Sequence, residues 1–379
     1  MAIGLAAMLF LWGFNDGVHN GMTRNLQQTI VGSLQIHARG FFHHPQLRRT
    51  LPDPDRVARL LDRRGIDRRT SRLRTFALAV GGDRSEGLIL LGVDPAGERR
   101  TTTLARKVDR GRFLRAGDGA ACVVGATTAR NLGLRPGDTV IVLTEDRFGA
   151  PAAERLRLVG IISSGEEGID RGLAIVPLAF LQRLTAMEGR ISEVVVQLPR
   201  SRLEPTTRWL RQRLGPAYEV LRWHDMYPMM EQWVVLENGF YYIFLSIVLV
   251  IIAAGVSNTV LMSMLERTRE FGVMMALGCG RGRLAAMVVA ESLILGCAGV
   301  ALGGLIGLLL VGHFHSAGID LSSRMGSMAR FYIDPVIHTE IDRDHLRDSV
   351  LAVLAAAVVA ALWPALRAAR LEPVAAMRR

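Results

Sequence analysis

Long runs of apolar residues alternate along this chain with stretches of mixed polarity. Residues 239–263 and 349–366 contain no charged side chain, and residues 284–312 contain only Glu291. A run of about 18 or more apolar residues with almost no charge is long enough to cross the hydrocarbon core of a bilayer as a helix. The three runs therefore predict three membrane-spanning helices in the second half of the chain.

The first residues form a shorter apolar run, which has two interpretations. Residues 1–14 are uncharged, and as a helix they reach only about 20 Å, less than the roughly 30 Å hydrocarbon core. A signal peptide is one interpretation, but the run has no basic segment before it and no clear small-residue cleavage site. We therefore interpret residues 1–20 as transmembrane helix 1, truncated on its N-terminal side.

Residues 21–238 are mixed in polarity, which indicates a folded α+β domain large enough for its own core. Val57, Leu60 and Leu61 recur at helical spacing before Gly65, which predicts a short amphipathic helix. Segments rich in β-branched residues predict strands. The predicted helices are 56–65, 178–184 and 206–214, and the predicted strands are 138–143, 155–162 and 192–198.

These patterns together predict a fold class and a topology. The fold is membrane α-helical, with four transmembrane helices and a large α+β domain inserted between helices 1 and 2. Arginines cluster in the short loop 264–283 and in the tail 367–379, whereas the loop 313–348 is rich in Asp and Glu. Short cytoplasmic loops carry an excess of positive charge, so the first two segments are predicted inside and the acidic loop outside. The 21–238 domain is then outside as well.

Composition narrows the classes of partner. The formal net charge is +11, which by itself favours nucleic acid or anionic lipid. With the predicted spans, membrane lipid is the expected partner, and no aromatic-interleaved motif indicates nucleic acid. Cys122, Cys279 and Cys297 fall outside, inside and within the membrane by this topology, so no intrachain disulfide is expected.

Motifs for catalysis and for metal binding are not found in the sequence. The histidine pairs His43–His44 and His313–His315 lack a carboxylate or cysteine partner at diagnostic spacing, so no metal site is predicted. The sequence contains no G-x-x-x-x-G-K-[ST], no G-x-S-x-G and no H-E-x-x-H. No catalytic residue is therefore assigned, the chain is not expected to be an enzyme, and a membrane-tethered enzyme is disfavoured.

The segment 264–278 has the pattern of a short amphipathic helix lying parallel to the membrane. Such a helix either rests its apolar side in a groove of another protein or is an ordinary interfacial helix. The glycines at its end stop the helix. The apolar face comprises Phe271, Met274 and Met275, the charged face comprises Glu266, Arg267, Arg269 and Glu270, and the stop is Gly278.

Two features inside the run 284–312 indicate contacts between helices. Gly299, Gly303 and Gly307 repeat every four residues, which allows another helix to approach closely, within this subunit or across a dimer. Glu291 is an intramembrane carboxylate near the cytoplasmic end of the run. We expect it to have a structural role, by snorkelling or by pairing with a neighbouring helix.

Four segments, taken in order, resemble the FtsX-like permease superfamily, whose members include the lipoprotein-releasing LolC/LolE subunits and the MacB efflux pump. Residues 92–95 and 122–140 resemble its MacB-like periplasmic domain. Residues 258–278 resemble the segment after the second span, and residues 364–377 are similar to the C-terminal pattern of the family. The resemblance covers nearly the whole chain.

This resemblance implies the transmembrane subunit of a bacterial ABC transporter, multi-pass in the inner membrane with its large domain in the periplasm. It implies an ABC ATPase subunit as partner, which would bind ATP and Mg, so that this chain itself carries no cofactor. A second permease subunit, identical or a paralogue, is implied as well. Motion of the ATPase would enter through the coupling helix at 264–278 and reach the periplasmic domain through spans one and two.

The cargo has more than one interpretation. Residues 160–198 look closer to the lipoprotein-releasing type than to the efflux type, so the first expectation is release of lipoprotein from the inner membrane. A MacB-like efflux permease working with a separate ATPase is the alternative within transport. A further alternative is an FtsX-like signalling or scaffold protein that controls a periplasmic hydrolase. What binds the external domain would discriminate these.

Overall fold

The computed structural model describes residues 1–321 and 336–369. These residues form two compact units. The helical unit contains residues 1–20, 232–321 and 336–369, and the α/β domain contains residues 21–231. The predicted tail 367–379 and the C-terminal motif at 364–377 lie largely outside the described residues, as does the middle of the loop 313–348.

The first element is helix α1, Ala2–Leu26, which is followed by a π-helical turn at Gln27–Val31. The α/β domain then contains seven helices and ten strands among its described residues. The helices are α2 Pro54–Arg63, α3 Pro95–Thr101, α4 Ala126–Leu132, α5 Glu167–Gly172, α6 Leu178–Leu184, α7 Arg200–Leu214 and α8 Trp223–Met226. The strands are β1 Leu34–Ala38, β2 Arg69–Gly81, β3 Arg84–Val93, β4 Val108–Gly111, β5 Ala121–Gly125, β6 Thr139–Glu145, β7 Pro151–Ile162, β8 Leu173–Pro177, β9 Glu193–Val196 and β10 Tyr218–Arg222.

All ten strands belong to one mixed sheet, in the order β10-β1-β9-β2-β3-β8-β5-β7-β4, with β6 pairing to both β2 and β7. The β2–β3 hairpin is the longest antiparallel pair, and Gly82 in its two-residue loop has φ 62°. A positive φ is what the tight turns of such hairpins require. The pairs β3–β8 and β5–β7 are parallel.

The elements predicted in this domain are confirmed. Helix α2 starts at Pro54, because the Asp53 side chain accepts a hydrogen bond from the Arg56 backbone N–H at 2.8 Å. Its apolar face of Val57, Leu60 and Leu61 is buried. The predictions at 178–184 and 206–214 correspond to α6 and α7, and the three predicted strands correspond to β6, β7 and β9.

The helical unit continues after the domain with α9 Pro228–Glu266, α10 Thr268–Ala276, α11 Arg281–Ala317 and α12 Arg343–Ala369, and with a small ladder of β11 Ile319–Asp320 and β12 Val336–Ile337. Helices α9, α11 and α12 are long and apolar enough to cross a membrane, and they contain the three predicted apolar runs. Helix α1 is not among the candidate spans found in the described residues. Its apolar stretch stops at Asn15 and Asp16, so a fourth span stays a prediction.

Candidate functional site

The short helix predicted within residues 264–278 is present as α10, and local hydrogen bonds mark its boundary with α9. The Thr268 hydroxyl donates to the carbonyl oxygens of Met264 and Leu265, at 3.1 and 2.9 Å. These carbonyls lie in the last turn of α9 and would otherwise lack intrahelical partners. At the other end Gly278, with φ 94°, terminates α10.

The apolar side of α10 faces the interior of this chain. Phe271 is only 2% exposed and packs in a core cluster with Val260, Met264 and Leu284. The hypothesis that Phe271 lies in a groove of a partner protein is therefore corrected, because its ring is already covered by α9 and α11. Met274 and Met275 are half-buried at the edge of the same cluster.

An arginine at the junction of α9 and α10 joins three helices. Arg267 Nε lies 2.9 Å from Glu270 Oε2, and Arg267 Nη1 lies 3.3 Å from both carboxylate oxygens of Glu291 on α11. Of the two expectations for Glu291, snorkelling and pairing with a neighbouring helix, these contacts favour pairing, and the structural role of Glu291 stays a prediction. Because all three side chains are 40% or more exposed, solvent screens the pairs and their main effect is on geometry.

The outward side of α10 and its C-terminal end carries a different set of residues. Glu266, Arg269 and Glu270 are exposed, as expected for the charged face. Val273 and Leu277 are exposed as well, Leu277 by 83%. These two side chains were not predicted as part of the site, although their i, i+4 spacing indicates a second apolar stripe.

The glycine stripe of α11 packs against α1, within this chain. A Cβ added at Gly303 would lie 2.5 Å from the carbonyl oxygen of Ala2, and one added at Gly307 would lie 2.9 Å from Leu9 Cδ1. At Gly299 the nearest atom would be Met1 Cβ, at 3.0 Å. Of the two predicted uses of the stripe, packing inside the subunit is the one that these contacts support.

Polar side chains near the C-terminal half of α1 bind the neighbouring helices, and the sequence analysis did not single them out. His19 Nε2 lies 2.7 Å from Glu237 Oε2 on α9, and His345 Nδ1 on α12 lies 2.9 Å from Asp16 Oδ2. The His345 ring also stacks on Trp12, with ring centroids 3.8 Å apart. The signal that was available is the occurrence of Asp16 and His19 in a helix whose preceding residues are apolar.

The α/β domain contains a fully buried ion cluster that was also not predicted. Arg72 on β2 contacts Glu98 at 2.6 Å and Glu193 at 3.4 Å, and all three side chains are 0% exposed. Burial by itself would raise the pKa of Glu193, but Arg74 and Arg72 hold it below its usual value. Arg72 also donates to the Ile30 carbonyl at 2.7 Å, which ties the turn after α1 to the sheet.

Among residues 1–321 and 336–369, no group of three or more His, Cys, Asp or Glu side chains is arranged to hold a metal ion.

Comparison with known proteins gives a family. The MacB-like periplasmic core domain matches residues 1–212, and the FtsX-like permease C-terminal domain matches residues 242–373. The lipoprotein-releasing system transmembrane protein LolC of Xylella fastidiosa is 25% identical over 309 residues, covering 78% of this chain and 74% of that protein. The macrolide export ATP-binding/permease protein MacB of Sodalis glossinidius is 34% identical over 131 residues, covering 35% of this chain and 18% of that protein.

A solved structure of the periplasmic region of MacB from Actinobacillus actinomycetemcomitans aligns with 53% of this chain and 94% of that region, at 16% identity and a TM-score of 0.39.

The two family matches decide the family of this chain. The match to the MacB-like periplasmic core domain, at residues 1–212, covers more than half of the chain, and the match to the FtsX-like permease C-terminal domain, at residues 242–373, covers the long apolar helices that follow. The chain therefore belongs to the FtsX-like ABC transporter permeases that carry a MacB-like periplasmic core domain.

Proposed function

We propose that this chain is a transmembrane subunit in the bacterial inner membrane that passes the motion of a separate ABC ATPase to its periplasmic α/β domain. ATP and Mg would be bound by the ATPase. The observation that carries this proposal is that α10 is packed against this chain on one side and exposed on the other. Its inner side is fixed by Phe271 and by the Arg267 contacts, while Leu277, Val273 and the charged residues beside them stay exposed.

The contacts of α10 explain how a displacement of this helix would pass to α9 and α11. The buried Phe271 ring leaves little room for α10 to slide independently of α9 and α11, because close-packed interiors transmit displacement. Helix α9 has 39 residues, about 58 Å of helix, and α8 and β10 of the periplasmic domain precede it directly in the chain. A helix keeps its backbone hydrogen bonds internally satisfied in lipid, which suits it to act as a lever.

For the cargo we propose lipoprotein released from the inner membrane. The support is that the LolC protein aligns with 78% of this chain, whereas the MacB protein aligns with 35%. Efflux of a small molecule and control of a periplasmic hydrolase are the alternatives. A second permease subunit, identical or a paralogue, would complete the complex.

Co-purification from native membranes tests the coupling role. We expect an ABC ATPase to co-purify with the wild-type chain and to be lost from Leu277→Glu and Glu270→Arg, because both substitutions change the exposed side of α10. Phe148→Glu is the control, since Phe148 is also an exposed apolar residue, 70% accessible, but lies in the α/β domain. A folded wild-type chain that retains no ATPase would overturn the proposal.

A further inference from the structure

One end of the α/β domain carries arginines that form no ion pair with a carboxylate of the described residues. All of them are exposed except Arg64, which is half-buried. Other arginines of this domain are paired: Arg112 contacts Asp118 at 2.7 Å, for example. The unpaired set, which we call the arginine rim, comprises Arg63, Arg64, Arg68, Arg100, Arg200 and Arg202.

The strand register places the arginine rim at the end of the sheet where the chain enters and leaves the domain. Leu34 at the start of β1 and Arg69 at the start of β2 both lie opposite Val196 at the end of β9. Arg222, the last residue of β10, lies opposite Leu34. Helix α2 ends shortly before Arg69 and α7 begins shortly after Val196. The arginines at these two helix ends therefore lie beside the connections to α1 and α9.

The contacts within the arginine rim use backbone carbonyls and an aromatic ring. Arg68 Nε donates to the Arg100 carbonyl oxygen at 3.2 Å, and Arg202 Nη2 donates to the Arg64 carbonyl oxygen at 2.9 Å. The Arg64 guanidinium carbon lies 4.5 Å from the centroid of the Trp209 ring. These contacts hold the side chains together and leave their positive charges uncompensated.

The charges at the start of α7 do not serve the stability of that helix. Negative side chains are the stabilising ones in the first turn of a helix, because its N-terminus is the positive end of the dipole. The first turn of α7 contains no acidic residue and instead carries Arg200 and Arg202. A departure from a local rule without a compensating contact is expected where a surface has another role.

The position of the rim in the chain favours a membrane surface as its anionic partner. Helix α9 starts at Pro228 and contains the charge-free run 239–263, so about 16 Å of helix separates its start from that run. The headgroup layer fills about 5–7 Å on each side of the hydrocarbon core. What remains is comparable to the reach of an arginine side chain and a Debye length of about 8 Å.

We infer that the arginine rim binds the phosphate groups of anionic phospholipids and so holds this end of the α/β domain at the bilayer surface. A guanidinium group presents a planar fork of donors that matches phosphate oxygens in a bidentate way. This inference goes beyond the coupling role, since it requires a membrane-embedded chain but neither the ATPase nor the cargo. The lipid composition of the bilayer would then set how freely the domain moves.

Photo-crosslinking of the full-length protein in lipid nanodiscs tests this inference. Benzoylphenylalanine replaces Ser201, which is exposed between Arg200 and Arg202, and the nanodiscs contain equal amounts of phosphatidylcholine and phosphatidylglycerol. We expect mass spectrometry to find mainly phosphatidylglycerol adducts, because only this lipid has a net negative charge. The same probe at Ser85 is the control, since Ser85 lies at the opposite end of β2 from the rim, and it should give few lipid adducts.

A matched pair of double variants makes the test specific to the rim. Arg63→Gln with Arg200→Gln removes two guanidinium groups that make no hydrogen bond or ion pair with the described residues. The yield of phosphatidylglycerol adducts should fall by about tenfold or more, because each cation near an anionic surface contributes about fivefold to binding. Arg135→Gln with Arg155→Gln removes the same charge from exposed positions outside the rim, and it should leave the yield unchanged.

Salt supplies a second measurement that decides the matter if the rim variant does not fold. At about 1 M KCl the Debye length is about 3 Å, so the wild-type preference for phosphatidylglycerol should disappear. A preference that persists in this salt would overturn the inference. Equal yields for the two lipids at position 201, or an unchanged yield in the folded rim variant, would overturn it as well.

ATPase co-purification on the same preparations separates this inference from the coupling role. The rim variant should retain the ATPase as the wild type does, because its substitutions lie in the α/β domain. Retained ATPase without a lipid preference overturns the role of the rim alone. A lipid preference without a retained ATPase supports the rim and counts against the coupling role.

Discussion

The α/β domain buries most of its large apolar side chains, whereas the helical unit exposes many of them and buries glycines instead. In the domain, Leu73 and Leu90 are 0% exposed, and the large apolar side chains are mostly inside. In the helical unit, Ile294 and Leu305 are 70% and 59% exposed, while Gly303 and Gly307 are buried. The domain is organised by removal of apolar surface from water. The helical unit is organised by close backbone approach, which is how helices pack when their surroundings are as apolar as leucine.

The polar groups of the two units differ in the same way. The domain buries the Arg72 guanidinium against the carboxylates of Glu98 and Glu193, and all three side chains are 0% exposed. The helical unit keeps its ion pairs partly exposed, as in His19 with Glu237 and Arg267 with Glu291. Charge in the domain is therefore paired in the interior, whereas in the helical unit it stays partly accessible.

The largest expected effect comes from breaking the buried cluster. Arg72→Met leaves the buried Glu98 carboxylate without its cation and leaves Glu193 with Arg74 alone, so we expect the free energy of unfolding of the domain to fall by about 3–5 kcal/mol. Thermal unfolding of the purified full-length protein, followed by tryptophan fluorescence, measures this. Arg59→Met removes an exposed arginine whose pair with Asp53 is 3.7 Å long, and it should change the midpoint little. Similar midpoints for the two variants would contradict the cluster's role.

The next largest effect is expected in the pH dependence of the free energy of unfolding of the domain. Burial lowers the pKa of His37 from 6.5 to about 4, with Glu193 and Arg74 acting in opposite directions. The unfolded chain then binds more protons than the folded chain between these values, so stability present above pH 6.5 is lost as the pH falls towards 4. The full loss is about 3 kcal/mol.

Chemical unfolding at pH 7.5 and at pH 5 measures this loss. His37→Gln should flatten the dependence in this range. His43→Gln, which changes an exposed histidine, should retain it. A dependence that survives in His37→Gln would assign the effect to another group.

Overpacking the glycine stripe tests how strongly the helical unit depends on the contact between α1 and α11. Gly303→Leu forces α1 away from α11, because the new Cβ would lie 2.5 Å from the Ala2 carbonyl oxygen. We expect a cost of about 1–3 kcal/mol, measured by titration with sodium dodecyl sulfate while Trp12 fluorescence reports on α1. Gly304→Leu is the neighbouring control, since a Cβ there meets nothing within 4 Å. Equal sensitivity of both variants would show that α1 does not depend on this contact.

The smallest effect is expected at the arginine contacts of α10. Glu291→Gln weakens a pair of side chains that are 40% and 45% exposed and therefore screened by solvent, so the midpoint of thermal unfolding should change little. ATPase retention should fall more clearly than stability if the pair positions α10. Co-purification and thermal unfolding of the same preparation separate the two, and a large loss of stability would contradict the assignment.

Local patterns were sufficient to predict many elements of both units. The apolar face of Val57, Leu60 and Leu61, the apolar runs and the stop at Gly278 each depend on neighbours within a few residues, and each is present in the structure. The pairing of Glu291 could be expected because an unpaired carboxylate is costly in an apolar run. The burial of Phe271 was missed, since an i, i+3, i+4 pattern shows that a face is apolar but not what covers it.

The sequence by itself therefore determined the class of the protein: long apolar helices, a separate α/β domain, and the short amphipathic helix between two of the spans. Only the tertiary structure decided that Arg72 is buried, that the glycine stripe holds α1, and that Phe76, Leu78 and Leu143 share one exposed apolar face beside Gly87. The reason is physical. Periodicity along a chain is a local property, whereas burial, ion pairing and the neighbours of a strand depend on the register between segments far apart in sequence.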